Sequence, residues 1–456
     1  DLNKLKQMEF EFAIEQPPSR QNGTVFNDPA FAANKSLPIH RWVPWIAGFS
    51  KDFVDGALKT HLSSDRGLVL DPFAGVGTTL VEGMLLGHDV VGFEINPYPH
   101  LASSTKLSIS NISPEHLRVE IARFQLFYNE AILSKRTPTT GVPHGFHSRV
   151  PFYSMKVLTK VLTVLDFIAS ISDTTIANVF RIAFASTMVV YSNYSYEPSL
   201  ATRASSGKQN VDDAPVGEII LAKLESMLAD VKWYWRTYPQ GIRGQHRIIN
   251  DSFFNCQKYL EAASVDLIVT SPPYLNNYHY NRNTRPHLYW LGFAEKPGDL
   301  KPLEEANFGT YWQMARDLAR VDLDFGLPDT DLQEKLDLLR KTNIDKGIYG
   351  GNGWANYAAT YFNDCFRFAV QAQHVLKVGG VALVVIGNSI LQGIMIPTDA
   401  YLAAVARQVG LETVSIDIPR ATRVGSSIIQ SDVRSVKANS RHQLYEAVVT
   451  LRKVHD

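Results

Sequence analysis

"GLVLDPFAGVGTTLVEGMLLGHDVVGFE", residues 67–94, reads as a strand, a glycine turn, a helix of about three turns and a second strand. That is one βαβ unit, and parallel strands of this kind require helices on the faces of a layered sheet. Further along come "HRIIND" (246–251), "VDLIVT" (265–270), "GGVALVVIGN" (379–388), "ETVSIDI" (412–418) and "LYEAVVTLR" (444–452). They are β-branched and nearly continuous in apolar residues, as strands covered on both faces must be. The expected fold is α/β, a doubly wound, mostly parallel, seven-stranded Rossmann-like sheet whose last two strands form an antiparallel edge.

Around that sheet the chain divides by pattern. Residues 40–100, 245–280 and 355–456 are expected to form the α/β domain. Residues 101–244 carry helical periodicity and read as a large helical insertion. In "SMKVLTKVLTVLDFIAS" (154–170), Val157, Leu158, Val161, Leu162 and Leu165 share one stripe, and similar stripes run through 116–133, 174–190 and 216–236. Residues 281–354, rich in charge, glycine and proline, read as a second insertion. Its "YGGNGW" (349–354) is expected to be a mobile loop.

Composition narrows the class. Of 456 residues, 45% are hydrophobic and 20% charged, as in an ordinary globular protein. The 45 Lys and Arg balance 45 Asp and Glu, so any polyanion must be drawn by a local patch rather than a global field. Two cysteines, Cys256 and Cys365, argue against a disulfide framework and against a cysteine zinc site, and fit a reducing cytoplasm. No apolar run is long enough to cross a bilayer. No histidine spacing argues for a metal, and none is expected.

In "DPFAGVGTT", Gly75 and Gly77 stand where a strand turns into a helix, so the backbone can approach a ligand closely and offer helix N–H groups. Leu80 occupies the place of the third glycine of a dinucleotide fingerprint, and the Gly-Lys-Ser/Thr of a phosphate loop is absent. Phosphate is therefore disfavoured and a carboxylate-bearing ligand favoured. Glu94 ends the next strand, where an acid can accept from both hydroxyls of a ribose. Alone it reads as a solvated strand-end charge; after the glycine loop it reads as the ribose ligand. A nucleoside with an amino acid tail fits both features, and S-adenosylmethionine is that molecule.

"VDLIVTSPPY" ends in a second chemical corner. Proline fixes its own φ and pushes the preceding residue into extended backbone, so Ser271, Pro272 and Pro273 form a stiff hook at a strand's carboxyl end. By itself this reads equally as a proline turn. Joined to the glycine loop and Glu94 in one sheet, it reads as a catalytic hook. The Ser271 hydroxyl and Pro272 carbonyl are two fixed acceptors beside the face of Tyr274. They suit an exocyclic amine, whose hydrogens they would draw out of the ring plane to restore its lone pair.

With these stretches the chain resembles the DNA amino-methyltransferases that modify N4 of cytosine or N6 of adenine. The similarity is carried by "DPFAGVGTTLVEG", "VVGFEINPY", "IINDSFF", "DLIVTSPPY" and "LKVGGVALVVIGNS". It implies S-adenosylmethionine as cofactor, with Gly75, Gly77, Thr78 and Thr79, flanked by Asp71 and Phe73, around the methionine part. It also implies Glu94 on the ribose and Asp251 on the adenine amine, although Asp251 reads equally as a helix N-cap. Pro44 and Trp45 match a cofactor-contacting segment ahead of the first strand. Serine ahead of the two prolines implies N4 of a flipped-out cytosine in double-stranded DNA. The implied setting is bacterial or archaeal restriction-modification or phage defence, with a separately encoded endonuclease.

Several stretches are candidates for holding DNA. Residues 419–442 set Arg420, Arg423, Arg434, Lys437 and Arg441 against Asp432 alone, compatible with phosphate binding or with a solvated loop. Residues 191–210, with Arg203 and Lys208, suit either a groove contact or packing under the helices. Tyr278, Tyr280, Arg282 and Arg285 follow the hook directly and are placed to contact the strand flanking the target. An N6-adenine enzyme, an RNA guanine-N2 methyltransferase and a non-catalytic DNA-binding module are the rival readings.

Overall fold

The computed structural model describes residues 14–15, 31–43, 45, 49–63, 65–196, 199–275, 280–423 and 443–456. Seven strands make the central sheet: β1 (Leu68–Asp71), β2 (Asp89–Phe93), β3 (His246–Ile249), β4 (Val265–Thr270), β5 (Leu376–Gly387), β6 (Leu411–Arg423) and β7 (Gln443–Lys453). Their order is β3-β2-β1-β4-β5-β7-β6, and a two-residue strand, Ile14–Glu15, pairs antiparallel with β6 at the edge. The first five strands in that order are parallel. β7 runs against both β5 and β6, so the last strand of the chain lies inside the expected antiparallel edge. Two residues are too few for any periodicity to announce the eighth strand.

Alternate strand residues enter two separate cores. Val69, Leu267, Val269, Leu383 and Val385 face one; Leu70, Ile268, Ala382, Val384 and Ile386 face the other. Side chains alternate along a strand, so only a run apolar at every position can serve both faces.

The first core is covered by α1 (Lys51–His61), α2 (Thr78–Leu85), α3 (Pro97–Leu107) and a block of α4 (Pro114–Leu133), α5 (Met155–Ala169), α6 (Thr174–Thr187) and α7 (Val216–Thr237). Ser113, Ser154 and Asp173 cap α4, α5 and α6 by accepting from first-turn N–H groups. Phe124, Phe167 and Phe180 meet at the block's centre, with ring centroids 5.4 to 6.0 Å apart. The buried face of α5 is Val157, Val161, Val164, Phe167 and Ile168, which corrects the expected stripe: Leu158, Leu162 and Leu165 are only half-buried. α2 is shorter than the expected three turns.

α8 (Tyr280–Trp290) follows β4, and α9 (Leu332–Lys341), α10 (Gly351–Val375) and α11 (Thr398–Gln408) lie on the second side of the sheet. Residues 349–354 are not the expected loop: Tyr349 ends a short 3-10 helix, Ile344–Tyr349, and α10 begins at Gly351. A Cβ on Gly351 would fall 1.6 Å from the Leu339 carbonyl oxygen, and one on Gly353 would fall 2.9 Å from Arg316 Cβ. These glycines serve close packing, and Trp354 is buried in a stack on Trp312, 5.2 Å between centroids.

α7 also fastens the segment ahead of α1. The buried Asp230 carboxylate accepts from Ile39 N–H (2.9 Å), Trp42 Nε1 (2.9 Å), and Arg41 Nε (3.1 Å) and Nη2 (2.6 Å). Asp230→Ala would leave those donors without their acceptor, and is expected to lower unfolding free energy by about 3 to 5 kcal/mol. A urea midpoint unchanged from wild type would show that the clamp contributes nothing. No helix among the described residues is long and apolar enough to cross a membrane.

Candidate functional site

From β1 the chain moves outward through β2 and β3, then returns to place β4 on the other side of β1. In such sheets a crevice opens at the strand carboxyl ends where the winding reverses. A cleft with about 990 Å³ of free space, part of it open to solvent, lies there, lined by Phe73, Gly75 and Thr78 after β1, Glu94 after β2, Asp251 after β3, and Ser271 and Pro273 after β4. Four strand ends thus converge on one space.

The loop after β1 is held from behind. Gly75 and Gly77 both take left-handed backbone, φ +52° and +87°, and a Cβ on Gly77 would press on Ser103 Oγ at 2.9 Å. Ser103 Oγ donates to the Gly75 carbonyl (2.6 Å) and Lys106 Nζ to the Val76 carbonyl (2.8 Å). Burial pushes the Lys106 ammonium down to about 7. Asp71 is buried beneath the loop and accepts from Thr270 Oγ1 (2.6 Å) and Phe73 N–H (3.0 Å). Burial raises its carboxyl to about 6, against these hydrogen bonds.

Three expected cofactor residues are therefore supports, not lining. Asp71 ties β1 to β4, Gly77 packs on α3, and Thr79 Oγ1 donates to the Val269 carbonyl at 3.2 Å. Phe73, Gly75, Thr78, Glu94, Asp251 and Trp45 do line the cleft. Trp45 lies over Gly75, its Nε1 3.3 Å from where a Cβ would stand. Pro44 falls outside the described residues.

Glu94 stands at the cleft wall. One carboxylate oxygen accepts from Gly75 N–H (3.0 Å) and the other from Asn96 N–H (2.8 Å), which leaves each with acceptor capacity. Burial pushes the Glu94 carboxyl up to about 7, against those two N–H groups. Asp251 is tied to Ser252 N–H, Asn255 Nδ2 and Tyr259 Oη. Burial opposes its ionisation, but these hydrogen bonds hold its carboxyl below the usual range. The adjacent short helix, Phe253–Lys258, is capped by Ser252.

The hook is braced on its far side. Tyr361 Oη of α10 donates to the Pro273 carbonyl (2.8 Å), and Ser389 Oγ donates to the Leu275 carbonyl. Tyr274 packs its ring on Gly387, where a Cβ would come within 2.8 Å, and its hydroxyl donates to Glu446 of β7 at 3.0 Å. Tyr274 and the buried Pro272 do not line the cleft that Ser271 and Pro273 line, so the expected aromatic wall stands beyond the hook.

Of the expected DNA contacts, Arg282 and the backbone-anchored Arg285 lie on α8, and Lys208 is exposed. Arg203 is a correction: its guanidinium donates to the Ser192 and Val190 carbonyls, both at 2.9 Å, and so braces its own loop. Tyr278, Arg434, Lys437 and Arg441, and the side chains of Tyr280, Arg420 and Arg423, fall outside the described residues. No group of three His, Cys, Asp or Glu able to hold a metal occurs among the described residues.

Residues 57–103, from α1 through β1, the glycine loop, Glu94 and into α3, match the sequence profile of the DNA methylase family of N6 and N4 enzymes. Over most of its length the chain is also similar to type II methyltransferases. M.BsoBI of Geobacillus stearothermophilus is 22% identical over 424 residues, spanning 85% of this chain and 81% of that protein. M.AvaI of Nostoc sp. is 23% identical over 403 residues, spanning 85% and 82%. The matched profile and these relatives support a DNA amino-methyltransferase of the N4/N6 family. The methyl donor of this amino-methyltransferase is S-adenosylmethionine, and the cleft suits it. It offers a half-buried carboxylate with acceptor capacity, close-approaching glycine backbone and aromatic walls.

Two lining residues of this amino-methyltransferase carry signals that motif reading passed over. Asn96 caps α3 with Pro97 at its first position, an ordinary helix start, while its Nδ2 donates to Thr284 of α8 at 2.8 Å. Phe308 meets Phe73 edge-on, 5.2 Å between centroids, and arrives from the stretch between α8 and α9 without any local motif.

Proposed function

We propose that this chain methylates the exocyclic N4 of a flipped-out cytosine in double-stranded DNA, as the methyltransferase of a type II restriction-modification pair whose endonuclease is a separate protein. The observation that carries this reading is that Ser271 and Pro273 line the same cleft as Gly75 and Glu94. Serine ahead of the prolines supports N4-cytosine over N6-adenine. Mass spectrometry of nucleosides from treated DNA tests it: 4-methylcytosine is expected, and 6-methyladenine alone would overturn the base assignment.

In this reading Glu94 takes the ribose hydroxyls, and the Gly75–Thr78 loop holds the amino acid tail. Asp251 faces the adenine amine between Phe73, Phe253 and Phe308, with Trp45 as a cover. When bound, S-adenosylmethionine supplies an electrophilic methyl carbon. The Ser271 hydroxyl and Pro272 carbonyl accept the hydrogens of the cytosine amine, turn its lone pair out of the ring plane and stabilise the positive charge that develops on nitrogen. Tyr274, held by Gly387 and Glu446, stacks on the base. Tyr274→Ala is expected to raise KM for DNA about tenfold to a hundredfold. An unchanged KM would remove the stacking role. Arg282, Arg285, Lys208 and the basic residues of 419–442 hold phosphates.

The raised Glu94 carboxyl adds a pH signature. Ribose hydroxyls donate to the carboxylate form, so cofactor affinity should rise as pH rises through about 7, with a proton released on binding. For folding the sign is opposite. The native cleft keeps a proton that the unfolded chain loses near its ordinary value of 4.5, so this stabilising contribution is lost as pH rises toward about 7. Calorimetry in buffers of different ionisation enthalpy reads the released proton, and Glu94→Gln should abolish it.

A further inference from the structure

A second cleft lies beside the first, between the 146–149 stretch ahead of α5, the 194–205 stretch after α6, and α8. Arg149, Arg282 and Arg285 all line it with His147, and no Asp or Glu is among its lining residues. None of the three arginines makes an ion pair among the described residues. Arg285 is set in place: Nη1 donates to the His147 carbonyl (3.0 Å), and its guanidinium lies over the rings of Phe146 (5.4 Å) and Tyr289 (5.5 Å). The Arg149 N–H donates to Tyr194 Oη at 3.1 Å. In a chain whose charges cancel overall, three guanidiniums gathered without a carboxylate repel one another, and an anion is the partner that relieves this.

We infer that this cleft holds the phosphodiester backbone of the target strand next to the flipped nucleotide, so that the helical block and α8 together grip the flank of the site. The inference rests on the function proposed above and adds to its phosphate contacts Arg149, His147 and the single cleft that gathers them with Arg282 and Arg285. α8 joins the two clefts: Asn281 lines the catalytic one, and Arg282 and Arg285 line the second. At about 1.5 Å per residue these arginines follow Asn281 by about 1.5 and 6 Å along the helix axis. Residues one and four positions apart on one helix therefore open onto neighbouring clefts, which puts an anion held in the second next to whatever occupies the first. Arg149 and His147 come from a stretch with no motif.

The test is the salt dependence of binding, with Arg149→Gln and Arg282→Gln made singly and together. Arg285 is left intact because it supports Phe146. The probe is a fluorescently labelled duplex cut from DNA that the wild-type chain methylates. Each substitution is expected to flatten the slope of log affinity against log salt by about 0.9, and the pair by about twice that, with cofactor affinity unchanged. Equal slopes in the double variant and wild type would overturn the inference alone. A wild-type chain that methylates no DNA would overturn the proposed function and this inference together.

Discussion

Ser271→Ala is expected to slow methyl transfer about a hundredfold under single-turnover conditions, the usual loss when one preorganised hydrogen-bonding group is removed from a developing charge. Cofactor affinity should stay within about twofold. The separation follows from placement: Ser271 sits at the carboxyl end of β4, whereas Gly75 and Glu94 come from β1 and β2. The hook should keep its shape, since its bracing runs through Tyr361, Ser389 and Gly387 rather than the serine side chain. If affinity for cofactor falls while the single-turnover rate at saturation holds, Ser271 belongs to the cofactor and not to the amine.

Glu94→Ala should show the reverse pattern, with cofactor affinity down about a hundredfold or more by equilibrium dialysis. A hydrogen bond to a charged group contributes about 1.5 to 3 kcal/mol, and two ribose hydroxyls lose their acceptor together. Glu94→Gln retains one acceptor and should lose about tenfold. The fold should survive both, because the Gly75 and Asn96 N–H groups released from the carboxylate border an open cleft. Unchanged affinity in both variants would mean that the ribose is held elsewhere.

Much of this architecture is legible in local pattern. β4 spans the expected run, Val265–Thr270, because Leu267, Ile268 and Val269 alternate between two covered faces and its one charged residue, Asp266, falls near the strand's start, where it accepts from Leu68 N–H. The Glu94 position follows from the spacing between a glycine turn and the end of the next strand. Other features depend on distant partners. Asp71 reads as a ligand beside the glycine loop, yet it turns to Thr270, 199 residues away, which only the pairing of β1 with β4 brings near. The glycines of 349–354 suggest a loop until the Leu339 carbonyl is seen pressing on them. On α5, Leu158 and Val161 are equally apolar, and the choice of buried face belongs to the neighbouring helices. Phe308 reaches the cleft from a stretch whose own composition says nothing about a ligand.

β1 and β4 touch through Val69 with Leu267 and Leu70 with Ile268, although the block of α4 to α7 is threaded between them in the chain. What matters for the crevice is who is next to whom, not the order of translation. A shuffled gene encoding the β4 half before the β1 half would specify the same adjacency. The helical cargo carried between them can lengthen, shrink or be exchanged in evolution while the two reactive corners stay in register.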